Sequence, residues 1–231
     1  MAAAGSGERL GAGGPKAFVS LAGRPLVEWS IAALRAAPGV RSIVVACPPG
    51  HVHRLGGRDL AVVEGGATRS QSVANALEAV GTELVAVHDA ARPLVTPELV
   101  ESVVATLVAD PEANGAIAAT PVADTIKQAA SGRVASFDAY RVINSPIAVE
   151  GTVDRGRFWA AQTPQVFRAD ALRSALRADP ERVSAATDEA MLVEAAGGRV
   201  LIHPAPAENI KVTTALDLKL AELLLAERSA Q

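Results

Sequence analysis

Leu84-Val85-Ala86-Val87-His88-Asp89-Ala90-Ala91-Arg92-Pro93 is the stretch on which the fold turns. Four apolar residues, two of them β-branched, run without a break into a histidine and an aspartate. A short apolar run with no polar residue on either alternate face reads as a strand covered on both sides of a parallel sheet. The charged residues then fall at its carboxyl end. Two similar runs precede it: Ser42-Ile43-Val44-Val45-Ala46-Cys47 closes on Pro48-Pro49-Gly50, and Leu60-Ala61-Val62-Val63 closes on Glu64-Gly65-Gly66.

Helices separate these runs. Pro25 to Ala37 carries Leu26, Val27, Ile31 and Leu34 on one side. Thr68 to Val80 is stopped by Gly81, and Thr96-Pro97 opens a helix reaching Ala109, with proline at the position where a missing N–H costs nothing. Gly115 to Ala119 is a fourth strand. Strands alternating with helices predict right-handed βαβ units in a doubly wound, mostly parallel α/β sheet. Ligands of such sheets bind beyond the carboxyl ends of the strands. There the unusual residues gather: Gly65-Gly66 and Arg69 after one strand, His88-Asp89 and Arg92 after another.

Upstream, Ala2-Ala3-Ala4-Gly5-Ser6-Gly7-Glu8-Arg9-Leu10-Gly11-Ala12-Gly13-Gly14-Pro15-Lys16 is rich in small residues and carries two fixed positive charges. Glycines let a loop lie flat against an anion and expose its N–H groups, while Arg9 and Lys16 add full charges. The natural guest is a polyphosphate. Two familiar phosphate loops fail here. Lys16 follows Pro15 and precedes Ala17, so a Walker A hydroxyl is missing, and Leu10 stands where a dinucleotide fingerprint needs its third glycine. The plain alternative is a flexible low-complexity terminus. Only Met1 to Ala4 precede the loop, so any strand feeding it is a stub, expected to be extended and paired with the sheet.

Beyond Pro121 the rhythm breaks. Asp124-Thr125-Ile126-Lys127 and Thr152-Val153-Asp154-Arg155 bracket turn formers and strand-like pieces, which read as an extended arm with Ser136 to Gly151 as an insertion. Trp159 to Phe167 is a strand and Ala169 to Arg177 a helix. Thr187-Asp188-Glu189-Ala190 opens another helix with Thr187 as N-cap, ended by Gly197-Gly198. Val200 to His203 and Asn209 to Val212 read as final strands. Thr213 to Glu227 is a closing helix with Leu216, Leu220, Leu223 and Leu224 on one face.

At 231 residues, 49% hydrophobic and 20% charged, the chain has globular values and room for one sizeable core; its formal charge of -3 argues against general nucleic-acid binding. A single cysteine, Cys47, excludes a disulfide framework and fits a reducing compartment. No signal-peptide pattern or membrane-length apolar run is visible, so a cytoplasmic protein without membrane partners is expected.

Taken in order, the loop Gly5–Lys16, Gly65-Gly66-Ala67-Thr68-Arg69-Ser70-Gln71-Ser72-Val73, His88-Asp89-Ala90-Ala91-Arg92-Pro93, Asp124-Thr125-Ile126-Lys127, Gln162-Thr163-Pro164-Gln165, Thr187-Asp188-Glu189-Ala190 and Asn209-Ile210-Lys211 resemble the 2-C-methyl-D-erythritol 4-phosphate cytidylyltransferase family over nearly the whole chain. The resemblance implies a Rossmann-like fold, one nucleotidyltransferase domain over residues 1–231 with an arm insertion at about 124–158, and a homodimer built through that arm. It implies transfer of CMP from CTP to methylerythritol 4-phosphate with release of pyrophosphate, aided by Mg2+ or a similar divalent cation.

By the same resemblance, Arg9, Lys16, Asp89 and Lys211 are the catalytic set, and Asp89 is also the candidate metal contact. Ala3, Ala4, Gly5, Gly7, Gly66, Ala67, Ser72 and Ala90 join Arg9 and Lys16 around CTP. Arg92, Thr125, Arg155, Thr163 and Thr187 join Asp89 and Lys211 around the acceptor, with Thr125 and Arg155 expected to serve the partner protomer's site. Plain readings stand beside these. Arg69 can be a surface helix charge, Asp89 a turn cap, Thr187 a helix cap, and Cys47 an inert core residue. His51-x-His53 reads as solvated rather than zinc-binding. Rival functions are a ribitol-5-phosphate cytidylyltransferase, a catalytically silent nucleotide-binding dimer, and an NAD-dependent oxidoreductase, the last weakened by Leu10.

Overall fold

Residues 1–5, 14–57, 59–130 and 147–229 are described by a computed structural model of the chain. A small hairpin of β1 (Ser20–Leu21) and β2 (Arg24–Pro25) leads into helix α1 (Leu26–Ala36), strands β3 (Ile43–Cys47) and β4 (Leu60–Glu64), and α2 (Arg69–Leu77). Strand β5 (Leu84–Val87), α3 (Pro97–Val108) and β6 (Gly115–Pro121) follow, then the pair β7 (Lys127–Ala129) and β8 (Val149–Thr152). The chain ends with β9 (Trp159–Arg168), α4 (Ala169–Leu176), α5 (Pro180–Ala185), α6 (Glu189–Ala195), β10 (Val200–Pro204) and α7 (Ala215–Ser229). Two compact units result, Met1–Ala119 with Ala161–Gln231, and Thr120–Ala160. Among the described residues no helix is long and apolar enough to cross a membrane.

In the larger unit the strands fall in the order β10-β6-β9-β5 and, separately, β3-β4. Pairs β3–β4 and β10–β6 are parallel, whereas β9 runs antiparallel to β5. The sheet is therefore mixed rather than uniformly parallel at its centre. The N-terminal stub joins its two parts: Ala2 forms parallel bridges to Ala46 on one side and Asp89 on the other. The Ala3 and Ala2 N–H groups donate to the carbonyls of Ala46 (2.9 Å) and His88 (2.8 Å), and the Ala46 and Ala90 N–H groups donate to those of Met1 (3.0 Å) and Ala2 (3.0 Å). The expectation of an extended, paired stub holds. Below it, β3 and β5 part around an apolar cavity of about 210 Å³ lined by Met1, Ile43, Val44, Leu84, Ala86 and Val104, among others.

Alternation along the strands fills two cores. Val45, Cys47, Ala116 and Ala118 pack with Val27 and Ile31 of α1 and with Val100 and Val103 of α3. On the other face, Val87, Ile117 and Phe167 pack with Val73 of α2, Leu172 of α4 and Leu192 of α6. Side chains one residue apart on a strand point to opposite faces, so helices cover both. Thr68 and Thr96 cap α2 and α3, accepting from the N–H groups of Gln71 and Leu99.

Three local expectations are corrected. Residues 209–212 form no strand; they are a loop held by the Val212 N–H donating to the Ala91 carbonyl at 2.8 Å. Helix α6 is capped by Asp188, whose Oδ1 accepts from the Met191 N–H, not by Thr187. Helix α7 buries a different stripe from the expected one: Leu216, Leu220 and Leu223 are 75%, 43% and 64% exposed, while Ala221 is buried and Leu218, Leu224 and Leu225 pack beside it. Its rotation is set by a capping box, in which Thr214 Oγ1 accepts from the Asp217 N–H and Asp217 Oδ2 accepts from the Thr213 and Thr214 N–H groups.

In the smaller unit, β7 pairs antiparallel with β8, and Lys127 Nζ donates to Thr152 Oγ1 across the pair at 2.6 Å. Arg155 opens a short turn capped by Asp154. Of the expected insertion Ser136 to Gly151, residues 136–146 lie outside the described residues.

Candidate active site

Asp89 lies two residues past the end of β5, at the carboxyl end of the strand and bridged to the stub. Its side chain is 9% exposed and both oxygens are taken: Oδ1 accepts from Arg69 Nε and Nη2 at 3.1 and 3.0 Å, and Oδ2 pairs with Lys211 Nζ at 2.6 Å. Burial works against ionisation, but Arg69 and Lys211 outweigh it and hold the carboxyl well below the usual carboxylate range. Arg69, the first residue of α2, reaches further: its Nη1 donates at 2.5 Å to Glu189 Oε2, at the start of α6 and fully buried. Burial pushes the Glu189 carboxyl up, against the pull of Arg69. Two cations and two carboxylates thus alternate across three elements and the 209–212 loop.

Beneath Asp89 lies a chain of hydrogen bonds whose direction is determined. The Asp89 N–H donates to Thr163 Oγ1 at 3.1 Å, Thr163 Oγ1 meets His88 Nδ1 at 3.0 Å, and His88 Nε2 meets the Arg92 carbonyl at 3.3 Å. A carbonyl only accepts, so the imidazole carries its proton on Nε2, and Nδ1 accepts the threonine hydroxyl. Burial lowers the His88 pKa to about 4, so the ring is neutral. Thr163 is buried, and its hydroxyl proton is committed beneath Asp89 rather than toward a ligand. Arg92 is also turned inward: Nη1 and Nη2 donate to the carbonyls of Asn209 (2.7 Å) and Ala161 (3.3 Å). Asn209 Nδ2 in turn donates to Gln162 Oε1 and the Thr163 carbonyl. These bonds anchor the loop that presents Lys211.

Two further walls converge on the same strand ends. After β4, the Gly66 N–H donates to Ser72 Oγ at 3.0 Å and Ser72 Oγ donates to the Thr68 carbonyl at 2.9 Å, folding the Gly-rich turn back on the start of α2. A Cβ on Gly65 would stand 2.5 Å from the Ala4 Cβ, so only glycine lets this turn lie against the stub. Ala67 is exposed, and Ala3 and Ala90 are buried within the seam. The Lys16 N–H donates to the Gly5 carbonyl at 3.1 Å, pinning together the two ends of the N-terminal loop. Gly7 and Arg9 lie outside the described residues. The structure therefore brings together Asp89, Lys211, Arg92, Thr163 and Ala90, with Ala3, Ala4 and the Gly66–Ser72 turn beside them. Thr187 is exposed just before α6, and Thr125 and Arg155 are exposed in the smaller unit.

The metal expectation meets a poor fit. Among the described residues no three His, Cys, Asp or Glu side chains are grouped to hold an ion. The proposed ligand, Asp89, has two cations on its oxygens, and they would repel a divalent ion placed there. Sequence reasoning left Arg69 outside the site residues and passed over Glu189. The only sign of Arg69 was its place at the start of a helix that follows a strand end.

A family model described as IspD, 2-C-methyl-D-erythritol 4-phosphate cytidylyltransferase, matches residues 1–227. A curated protein of that name from Frankia casuarinae is 44% identical over 230 residues, covering 97% of this chain and 79% of the relative. One from Streptomyces avermitilis is 40% identical over 238 residues, covering 98% and 90%. The crystal structure of the enzyme of that name from Thermus thermophilus superimposes with a TM-score of 0.72 at 36% identity, covering 91% of this chain and 94% of that one. Matched by the family model over residues 1–227 and 44% identical to a curated member across 97% of its own length, the chain belongs to the 2-C-methyl-D-erythritol 4-phosphate cytidylyltransferase family.

Proposed function

We propose that the chain transfers CMP from CTP to 2-C-methyl-D-erythritol 4-phosphate, a step in isoprenoid precursor synthesis, at the strand-end site around Asp89. The observation that carries this is the Asp89–Lys211 pair, 2.6 Å apart, with Asp89 bridged to the stub whose Ala4 lies against Gly65. A phosphate oxygen of the acceptor attacks the α-phosphorus of CTP, and the bond to the bridging oxygen breaks as pyrophosphate departs in line. The acceptor oxygen is already anionic near neutral pH, so no general base is needed. Catalysis is positioning and charge neutralisation.

In this reading Arg9 and Lys16 neutralise the triphosphate, each lowering the barrier by roughly 3–4 kcal/mol. Ala3, Ala4, Gly5, Gly7, Gly66, Ala67, Ser72 and Ala90 surround the nucleotide, where small residues let backbone groups meet base and ribose. Lys211 and Asp89 face the acceptor, with Arg92 and Thr163 supporting them from below and Thr187 nearby. Residues from about 124 to 158 form the dimerisation arm, through which Thr125 and Arg155 serve the partner protomer's site. Mg2+ or a similar ion, if bound with the nucleotide, would neutralise phosphate charge rather than sit on Asp89, whose oxygens are held by Arg69 and Lys211.

The test is pyrophosphate release from CTP, with methylerythritol 4-phosphate and ribitol 5-phosphate compared side by side. Faster turnover with the methylerythritol acceptor is expected. Faster turnover with ribitol 5-phosphate would replace the acceptor, and CTP binding without turnover of either would make the chain a silent nucleotide binder.

A further inference from the structure

Glu189 carries a carboxylate in a place where an apolar side chain would be expected. Its neighbours Ala190, Leu192 and Val193 enter the core beneath α6, and Glu189 itself is 0% exposed. One oxygen, Oε2, accepts from Arg69; the other, Oε1, is buried with no hydrogen-bond partner among the described residues. Burying a charge with half of its acceptor capacity unfilled is unfavourable, and ion pairs of this kind are often weaker than a well-packed apolar substitute. Stability alone therefore gives a poor account of the residue.

The geometry around Arg69 gives a better one. A guanidinium is a rigid planar fork, so fixing one of its ends orients the others. Glu189 holds Nη1, and this leaves Nε and Nη2 aimed together at one oxygen of Asp89, at 3.1 and 3.0 Å. Among the described residues the second oxygen of Asp89 is thereby left to Lys211 alone. Building on the cytidylyl-transfer reading above, we propose that Glu189 is a positioning residue that acts through Arg69 to fix the Asp89 carboxylate, and with it the Lys211 ammonium, on the acceptor side of the site. Glu189 touches neither substrate. Its negative charge also keeps Arg69 from swinging onto an incoming phosphate, which reserves that phosphate for Lys211.

Steady-state kinetics of Glu189→Gln decide this, because the amide keeps the volume and loses the charge. The expected result is a fall of at least tenfold in kcat/KM for methylerythritol 4-phosphate, with the KM for CTP within twofold of the parent. Arg69→Lys, which keeps a charge but cannot span both carboxylates, is expected to show the same pattern. The double variant is expected to be no slower than Arg69→Lys alone, since both changes break one chain. Unchanged acceptor kinetics in a folded Glu189→Gln protein, equal losses for both substrates, or additive effects in the double variant would overturn the proposal. Should Glu189→Gln fail to fold, Arg69→Lys decides by the same split, its side chain being partly exposed. Should the parent chain turn over neither acceptor, the functional reading falls. The positioning chain is then tested by denaturant titration of Glu189→Gln, Asp89→Asn and the pair, where coupling is expected and strict additivity overturns it.

Discussion

His88 sits buried between Thr163 and the Arg92 carbonyl with its pKa lowered to about 4, while an unfolded chain takes up that proton near the ordinary histidine value of about 6.5. Between those values the unfolded state binds more protons, so the stability His88 contributes is complete above the higher pKa and is lost as pH falls toward the lower one. Asp89 adds to the loss further down, since its folded pKa is also depressed. The unfolding free energy from denaturant titration should therefore drop on going from pH 7 to pH 5, by about 2 kcal/mol from His88 alone. A His88→Gln protein, whatever its own stability, should lose that slope. Lys16→Ala should slow turnover by roughly 10²–10³ while weakening CTP binding far less, because the charge acts mainly where negative charge develops; equal losses in both would reject the role. At this scale Asp89 stood out, because charged residues at strand ends are rare enough to notice, whereas Lys211 came only from the family resemblance. Arg69 and Glu189 did not stand out, since their partners lie far along the chain and only the fold brings them together. Thr187 and Asp188 are both good caps, and nothing local chooses between them.

At the scale of elements, turn chemistry leaves one position strained. Hairpin β1–β2 closes on two residues, Ala22 and Gly23, with φ of 49° and 79°. Both central residues of such a turn need positive φ, which glycine adopts freely and alanine does not. Ala22→Asn should raise stability by about 0.5–1 kcal/mol, read as a higher thermal midpoint with unchanged turnover; a lower midpoint would show that Ala22 packs better than its backbone suggests. Helices α1 to α4 and the buried strands of the larger unit were legible because their apolar periods are unambiguous, whereas the short α5, with no buried residue, left no such pattern. The buried face of α7 was not legible, since its leucines populate two stripes and the Thr214–Asp217 capping box selects which one faces inward. The loop at 209–212 misled for a similar reason. Ile210 and Val212 look like strand residues, yet they pack against the cluster around Leu94 and Ala221 while Asn209 supplies the bonds that a ladder would.

The whole larger unit depends on a seam only a few residues long. Residues 1–3 connect β3 to the residues that follow β5, and Ala4 then lies against Gly65, so sheet continuity and placement of the Gly65–Gly66 turn share one contact. Gly65→Ala puts a methyl group where no side-chain motion can make room, because Ala4 has no freedom to yield and the Cys47 carbonyl stands 3.2 Å away. A loss of about 1–3 kcal/mol is expected from the clash, together with weaker CTP binding; normal stability with normal binding would show that the two are not linked. The seam also has a signature in time. The Ala46 amide belongs to β3 and the Ala90 amide to the turn after β5, yet both donate to carbonyls of the same short segment, those of Met1 and Ala2. Neither is released to solvent without the segment letting go, and when it does, both are released at once. Their hydrogen-exchange rates should therefore rise in step as denaturant is added, as one cooperative opening, ahead of the amides that β3 and β4 share.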